Sequence, residues 1–240
     1  MAITVGANRT ETVNLIEKIK TDSSSIKETI QEQLQTGVIN AIKDAWYAEE
    51  AVKFFQAFRE TVESASGAIA QGINTVIGNV ALSYDNWLAN TNPEGAASNP
   101  LYGSGEYSEV EESETKITLD VEGIVAVGPN TETGIDEETA NTVAESLPGI
   151  REAIQEALKD MQQNLDASAA LIDASGAQSS AVQTFYDAQL TAIEQIFKFL
   201  TEDDGENKSL KTCIAESVTR YGESIAQATA GALNDAASGN

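Results

Sequence analysis

Carboxylates are the main chemically active side chains in this sequence. Its 240 residues include 38 aspartates and glutamates, no histidine and one cysteine, Cys213. Without histidine the chain lacks the usual general base, the commonest zinc ligand and the base of Ser-His-Asp or Cys-His arrangements. Two carboxylates that face each other in a cleft can hydrolyse a glycoside, but acids spread over polar helix faces are typical of a solvated surface. We therefore predict no catalytic residues and a protein that is not an enzyme.

Patterns that bind cofactors or metals are also missing. The sequence contains neither a Gly-x-x-x-x-Gly-Lys-Ser/Thr run nor a Gly-x-Gly-x-x-Gly run, so it has no motif for nucleotide phosphates. The acidic loop of residues 202–207 lacks the spaced ligands and the final glutamate of an EF-hand calcium loop. Cys213 lies between Leu210 and Ile214 on an apolar helix face, where a cysteine is expected to be a small buried hydrophobic residue. We predict no cofactor and no metal site.

The net charge restricts the partners. It is −24 at pH 7, and residues 93–146 contribute half of it, with 13 acidic side chains and 1 basic side chain. Such a charge repels nucleic acid and anionic lipid, so we expect a protein partner or a homo-oligomer instead. No stretch reaches the ~18 to 20 apolar residues of a stable membrane span, and the N-terminus lacks the pattern of a Sec signal peptide. Three localisations stay open: cytoplasmic, secreted by a non-Sec route, or part of a virion.

Apolar residues recur with helical spacing over most of the chain. The spacing predicts a helix from about Val13, a break or bend at Gly37, and a second helix that ends near Asn92. Helical spacing returns from about residue 137, with an interruption at Pro148. The predicted fold class is therefore mainly α, with elongated helical hairpins or a bundle and a short β-hairpin insertion. The predicted segments are an N-terminal helical hairpin (1–92), an acidic linker with the β-hairpin (93–136) and a C-terminal helical bundle (137–240).

One stretch has the alternation of a β-strand. In residues 116–121 apolar and polar side chains alternate, which places Ile117, Leu119 and Val121 on one face. A Glu-Gly turn and a second apolar run follow in residues 122–127. Because a two-stranded hairpin is marginally stable alone, it is expected to pack on helices or to pair with another chain. The first arrangement makes it a cap over the helices, and the second makes it an edge for assembly.

Aromatic residues mark the middle of the N-terminal segment. Trp46 and Ala48 follow the first predicted helix, Phe54 and Phe58 come within the next turns, and Tyr84 lies near the end of the second helix. An aromatic stripe at helical spacing is typical of the core of a helical bundle. The same side chains are also candidates for contacts with a partner.

This arrangement resembles the Trp-x-Gly (Esx-type) helical-hairpin proteins of type VII secretion. In that family two antiparallel helices meet at a Trp-x-Gly bend, and the resemblance here covers roughly residues 8–92. Ala48 stands where the family has its glycine. The spacing of Tyr102 and Glu106 also fits the Tyr-x-x-x-Asp/Glu export signal that follows the hairpin in the family.

The resemblance implies a non-enzymatic secreted or structural protein that acts by self-association or by binding a partner. One alternative is a structural or accessory protein of a virion, whose hairpin adds a strand to a neighbour's sheet. A less favoured alternative is an α-helical pore-former that inserts residues 124–127. The predicted interaction residues are Trp46, Ala48, Phe54, Phe58, Tyr84, Ile117, Leu119 and Val121.

Overall fold

The computed structural model describes residues 8–172, 177–205 and 207–237. The prediction that the chain lacks a Sec signal peptide depends partly on residues 1–7, which lie outside this set. Glu206 of the acidic loop also lies outside it. The described chain is mainly α, with a small antiparallel sheet of β1 (Trp46–Tyr47) and β2 (Gly134–Ile135), so the predicted fold class is confirmed. The α-helices are α1 (Arg9–Leu34), α2 (Asn40–Ile42), α3 (Glu49–Thr91), α4 (Pro93–Ser98), α5 (Glu112–Thr115), α6 (Glu137–Ile172), α7 (Ala177–Thr201) and α8 (Leu210–Ala237).

The chain forms two compact units, and each unit combines three separate stretches of sequence. The units therefore do not follow the order of the segments 1–92, 93–136 and 137–240. Each draws its helices from early, middle and late parts of the chain. Unit 1 contains Met1–Gln31, Val62–Thr118 and Arg151–Gln195, and unit 2 contains Glu32–Thr61, Leu119–Ile150 and Ile196–Asn240.

Unit 1 is built on amphipathic helices. The Asn8 side chain accepts a hydrogen bond from the backbone N–H of Glu11 at 3.2 Å, a contact that caps the start of α1. Apolar side chains at spacings of three and four then face the core, and full burial of each such side chain stabilises the fold by ~1.5 to 3 kcal/mol. The buried residues of this core include Leu15, Ile16, Ile19, Ile30, Val62, Ile73, Val76, Val80, Ile154, Leu158, Leu165, Val182, Phe185 and Ile193.

In unit 2 the helical path continues past Gly37. Residues Gln35–Ile39 form a π-helical turn that leads directly into α2. A Cβ atom on Gly37 would lie 2.7 Å from Cδ1 of Ile150, so glycine permits the close approach of that side chain. The break predicted at Gly37 is wrong, because the π-turn accommodates the glycine while the backbone hydrogen bonds continue. The chain bends later, between α2 and α3, at the residues around Trp46.

The interruption predicted at Pro148 is also wrong, because α6 contains this proline. Inside a helix proline removes one N–H donor and its ring crowds the carbonyl of residue i−4, so packing has to compensate for the cost. Buried Leu147 and Ile150 on either side hold the helix in place through packing. Asp136 caps the helix start by accepting hydrogen bonds from the Thr139 N–H at 3.3 Å and the Thr139 hydroxyl at 3.0 Å.

The predicted β-hairpin of residues 116–127 does not form. The buried face of its first half is as expected, since Ile117, Leu119 and Val121 are all buried. The turn at residues 122–123 is also present, and Ile124 donates its N–H to the Val121 carbonyl at 3.0 Å. None of these residues belongs to a strand of the described chain.

Helix side chains replace the missing strand. In unit 1 the Ile117 N–H donates to the Ser66 hydroxyl oxygen at 3.0 Å. In unit 2 the Gln35 side chain binds both backbone groups of Asp120, accepting from its N–H at 2.9 Å and donating to its carbonyl at 2.9 Å. Because these side chains already satisfy the backbone, the extended segment packs on helices without a β partner. The sheet forms elsewhere, where Trp46 pairs with Ile135.

Candidate functional site

Trp46 lies at the bend of unit 2 with its side chain fully buried. Its ring meets Phe55 edge-on, with the two ring centroids 6.5 Å apart. The indole Nε1 has no hydrogen-bond partner among the described residues, so packing alone holds the ring. The side chain therefore belongs to the core of unit 2.

The other predicted residues near the bend are core residues as well. Ala48 is buried, and its carbonyl accepts the Val52 N–H at 3.2 Å at the start of α3. Ala48 does not have a positive φ, so the bend needs no glycine at this position. Phe54 and Phe58 are buried, and their rings lie 5.4 Å and 5.8 Å from the ring of Phe199.

Tyr84 belongs to unit 1. It is buried, and the guanidinium carbon of Arg9 lies 5.9 Å from the centre of its ring. Arg9 also pairs with Glu106 at 2.6 Å, and the hydrogen bond from Arg9 lowers the pKa of that carboxyl. A residue at the start of α1 thus contacts one near the end of α3, as it would in an antiparallel helical hairpin.

All the predicted interaction residues are thus buried, including Ile117, Leu119 and Val121 of the extended segment. Buried side chains stabilise the fold, but a partner contacts exposed ones. A binding surface has to be sought among other residues.

The second half of α8 is the most exposed helical surface of unit 2. The first half of the helix is anchored, since Leu210 and Ile214 are buried, and Tyr221 donates its hydroxyl hydrogen to the Tyr47 carbonyl at 3.3 Å. Every residue from 222 to 233 is exposed, which defines the exposed half of α8. Ile225 is 68% exposed and Leu233 is 66% exposed.

Helical spacing puts Ile225 on the apolar face of α8, but spacing alone does not show whether other residues cover that face. The face that buries Leu210 and Ile214 continues through Tyr221 to Ile225 at helical spacing. In the described chain this face leaves the core after Tyr221. The exposed half of α8 is therefore an amphipathic helix with its apolar residues in solvent.

A groove of about 640 Å³ lies beside this helix, within unit 2. Its walls are the bend before β1, the strand β2 with the turn that precedes it, and one face of α8. Asn130 and Thr131 in that turn have positive φ values of 57° and 64°, a strained conformation for a β-branched threonine. The residues that line this α8 groove are Asp44, Ala45, Tyr47, Glu132, Thr133, Gly134, Ile135, Asp136, Tyr221, Ser224, Ile225 and Ala228.

The rim of the α8 groove is acidic. Asp44, Glu132 and Asp136 are exposed, and none of the residues that line the groove is basic. The pKa of Tyr47 is raised above its ordinary value. Partial burial is the largest cause, and the nearby carboxylates of Asp44 and Glu132 add to it. Tyr47 therefore experiences a negative field from two of the rim carboxylates.

Cys213 is less buried than predicted, and it is a poor nucleophile. It is partly exposed, and its Sγ lies 3.7 Å from the Lys208 carbonyl oxygen. Burial, with a smaller contribution from Glu216, raises the pKa of the thiol to about 11. Since the thiolate is the reactive form, the thiol is almost entirely protonated at neutral pH.

The acidic loop before α8 serves helix capping. Asp203 accepts the Ser209 N–H at 2.7 Å and the Thr212 hydroxyl hydrogen at 3.0 Å, and the backbone hydrogen bond from Ser209 is the main cause of its lowered pKa. Asp204 pairs with Lys198 at 3.2 Å. Within residues 8–172, 177–205 and 207–237, no three metal-binding side chains cluster together.

Among the helices of the described chain, none combines the length and the apolar character needed to cross a bilayer. Comparison with protein-family models, with curated proteins and with solved structures found no match to this chain.

Proposed function

We propose that this chain is a non-enzymatic helical protein that acts by binding another protein through the exposed half of α8. The observation that carries the proposal is the exposure of residues 222–233, with Ile225 and Leu233 in solvent. Isolated helices of this length are marginal in water, and amphipathic helices gain most of their stability from tertiary packing. An exposed apolar face on such a helix is therefore suited to association.

The anchoring of α8 supports this function. Arg220 pairs with Glu50, and its guanidinium lies 4.7 Å from the centre of the Tyr221 ring. These contacts fix the helix just before the exposed half begins. A helix held at one end presents its free face in a defined direction, which reduces the entropy lost on binding.

The bend at Trp46 supports the resemblance to the Esx-type hairpin proteins as part of the same proposal. The turn between α2 and α3 contains Trp46 and Ala48, where the family has its Trp-x-Gly bend. Within unit 1, the contact between Arg9 and Tyr84 is consistent with antiparallel packing of the first part of α1 against the last part of α3. The particle component and the pore-former stay predictions, since no described contact favours them.

Site-specific photo-crosslinking tests the proposed surface. Ile225 is replaced by a photo-reactive phenylalanine analogue in the full chain, and the crosslinked products formed in an extract of the source cells are identified by mass. We expect one discrete product, formed with a different protein. We expect Leu233→Asp in the same chain to abolish it, because the charge removes the second apolar contact.

Tyr102 provides the matched control position, since it is 56% exposed and belongs to unit 1. The same analogue at position 102 should not give that product. Identical products from both positions, or a product that is insensitive to Leu233→Asp, would contradict the proposal. Light scattering on the purified chain and on Leu233→Asp then separates self-association from the binding of a different protein.

A further inference from the structure

The occupant of the α8 groove follows from the chemistry of its walls and rim. We propose that the groove binds a basic, amphipathic helical segment of a partner protein. This inference rests on the proposed function, because the groove and the exposed half of α8 share Ile225.

The walls of the groove are suited to apolar anchor side chains. Tyr47, Ile135, Tyr221 and Ile225 line it together with small residues such as Ala228. A helix that enters such a groove inserts side chains at positions i, i+3 or i+4, and i+7. The volume of about 640 Å³ accommodates several of them.

The exposed half of α8 extends the surface beyond the groove. Residues 222–233 form roughly 18 Å of helix at 1.5 Å per residue, and residues 229–233 of this helix lie past those that line the groove. Ala228 and Ala232 follow Ile225 on the same face at spacings of three and four. Their small side chains permit a second helix to pack closely against α8.

The rim selects the sign of the ligand's charge. Asp44, Glu132 and Asp136 are exposed at the edge, and no lining residue neutralises them. A lysine or arginine beside the apolar anchors of the ligand gains attraction from this rim. A second copy of this chain, with its charge of −24, and an anionic lipid surface are both repelled.

The probe for this proposal is a synthetic amphipathic helical peptide of leucine and lysine, roughly 18 residues long so that a helix can form. A matched peptide carries glutamate in place of every lysine. Fluorescence anisotropy with the full chain should give a dissociation constant at least about tenfold lower for the lysine peptide. Equal affinities, or tighter binding of the glutamate peptide, would overturn the proposal.

Ile225→Asp distinguishes the groove from general attraction between opposite charges. This substitution makes the chain more negative, so unspecific binding of the lysine peptide would become tighter. Binding in the groove should instead weaken about tenfold, as for the loss of a central apolar contact. Because Ile225 is 68% exposed, the variant is expected to fold normally, and circular dichroism verifies this.

Neutralising the acidic rim tests how much the rim charges contribute to binding of the lysine peptide. The double variant Asp44→Asn, Glu132→Gln removes two rim charges and leaves the capping residue Asp136 intact, and it should weaken binding about fivefold. Its control is Glu28→Gln, Glu152→Gln, which removes the same charge from exposed positions of unit 1 and should leave the affinity within about twofold. Equal effects of the two pairs would show that net charge, not the groove, controls binding.

Two further experimental outcomes would assign the α8 groove to an occupant other than a basic helix. Binding to phosphatidylcholine vesicles that Ile225→Asp abolishes would assign the surface to a membrane, and a doubled mass that Ile225→Asp abolishes would assign it to a second copy. A crosslink from position 225 that persists while the lysine peptide does not bind would overturn this inference alone. Loss of the crosslink as well would overturn the proposed function.

Discussion

Trp46 and Ile135 are paired residues of the small antiparallel sheet in unit 2. The Asp136 N–H extends this pairing by donating to the Ala45 carbonyl at 2.7 Å. The pairing attaches the start of α6 to the bend between α2 and α3. It therefore holds Ile135 and Asp136, which line one wall of the α8 groove, against the bend. The bend itself is anchored in the core by the fully buried indole ring of Trp46.

Trp46→Ala should destabilise the protein by ~3 to 5 kcal/mol, the usual range for deleting a large buried aromatic side chain. Urea denaturation followed by circular dichroism measures the change. Trp87→Ala is the matched control, because Trp87 is only partly buried and should cost less. Equal losses for the two variants would show that the bend does not depend on the burial of Trp46.

Leu119→Asp should destabilise unit 2 by more than about 3 kcal/mol, because it places a charge among buried side chains. Leu119 is 2% exposed, whereas Val127, which follows the turn at residues 122–123, is 52% exposed. Val127→Asp should therefore remain within about 0.5 kcal/mol of the unmodified chain. A chain that tolerates both substitutions equally would contradict the burial of this segment, and thermal melting gives the comparison.

The ion pair between Glu50 and Arg220 should give stability that depends on pH. The hydrogen bond from Arg220 lowers the pKa of Glu50 below its ordinary value of 4.5. A carboxyl whose pKa is lowered by folding contributes stability above its unfolded pKa, and this contribution is lost as the pH falls through the folded pKa. Glu50→Gln should therefore lower the melting temperature at pH 7 and have a vanishing effect in acid.

Both side chains of the Glu50–Arg220 pair are about half exposed. At pH 7, Glu50→Gln should therefore lower the free energy of unfolding by no more than about 1 kcal/mol. Glu49→Gln is the control, since Glu49 and Lys53 are 3.9 Å apart with side chains that are 78% and 77% exposed. It should change the melting temperature little at either pH. An effect of Glu50→Gln that grows as the pH falls would contradict the assigned ion pair.

Cys213 should react slowly with alkylating reagents. Its pKa of about 11 compares with an ordinary value of 9.0, so the thiolate fraction at pH 8 is about a hundredfold smaller than for a free cysteine. Mass spectrometry after timed exposure to iodoacetamide measures the rate, and the urea-unfolded chain is the reference. Equal rates in the folded and unfolded chains would contradict this environment.

The helices and much of their buried face could be predicted from periodicity, because packing against a core selects apolar residues at spacings of three and four. Alternation likewise identified the buried side chains Ile117, Leu119 and Val121. It could not identify what pairs with the backbone of this segment, since the Ser66 hydroxyl binds the Ile117 N–H and the Gln35 amide binds both backbone groups of Asp120, as a strand would otherwise do. The sheet at Trp46 and Ile135 is too short for a pattern of its own.

The sequence by itself determined the helical character of this protein, its acidity and the set of side chains that must leave water. These properties depend on local spacing and composition. Only the tertiary structure decided which apolar face stays uncovered, because Ile214 and Ile225 lie on the same face of one helix and differ only in their neighbours. The α8 groove depends on the fold for the same reason, since its walls come from residues 44–47, 132–136 and 221–228, which are brought together by long-range packing.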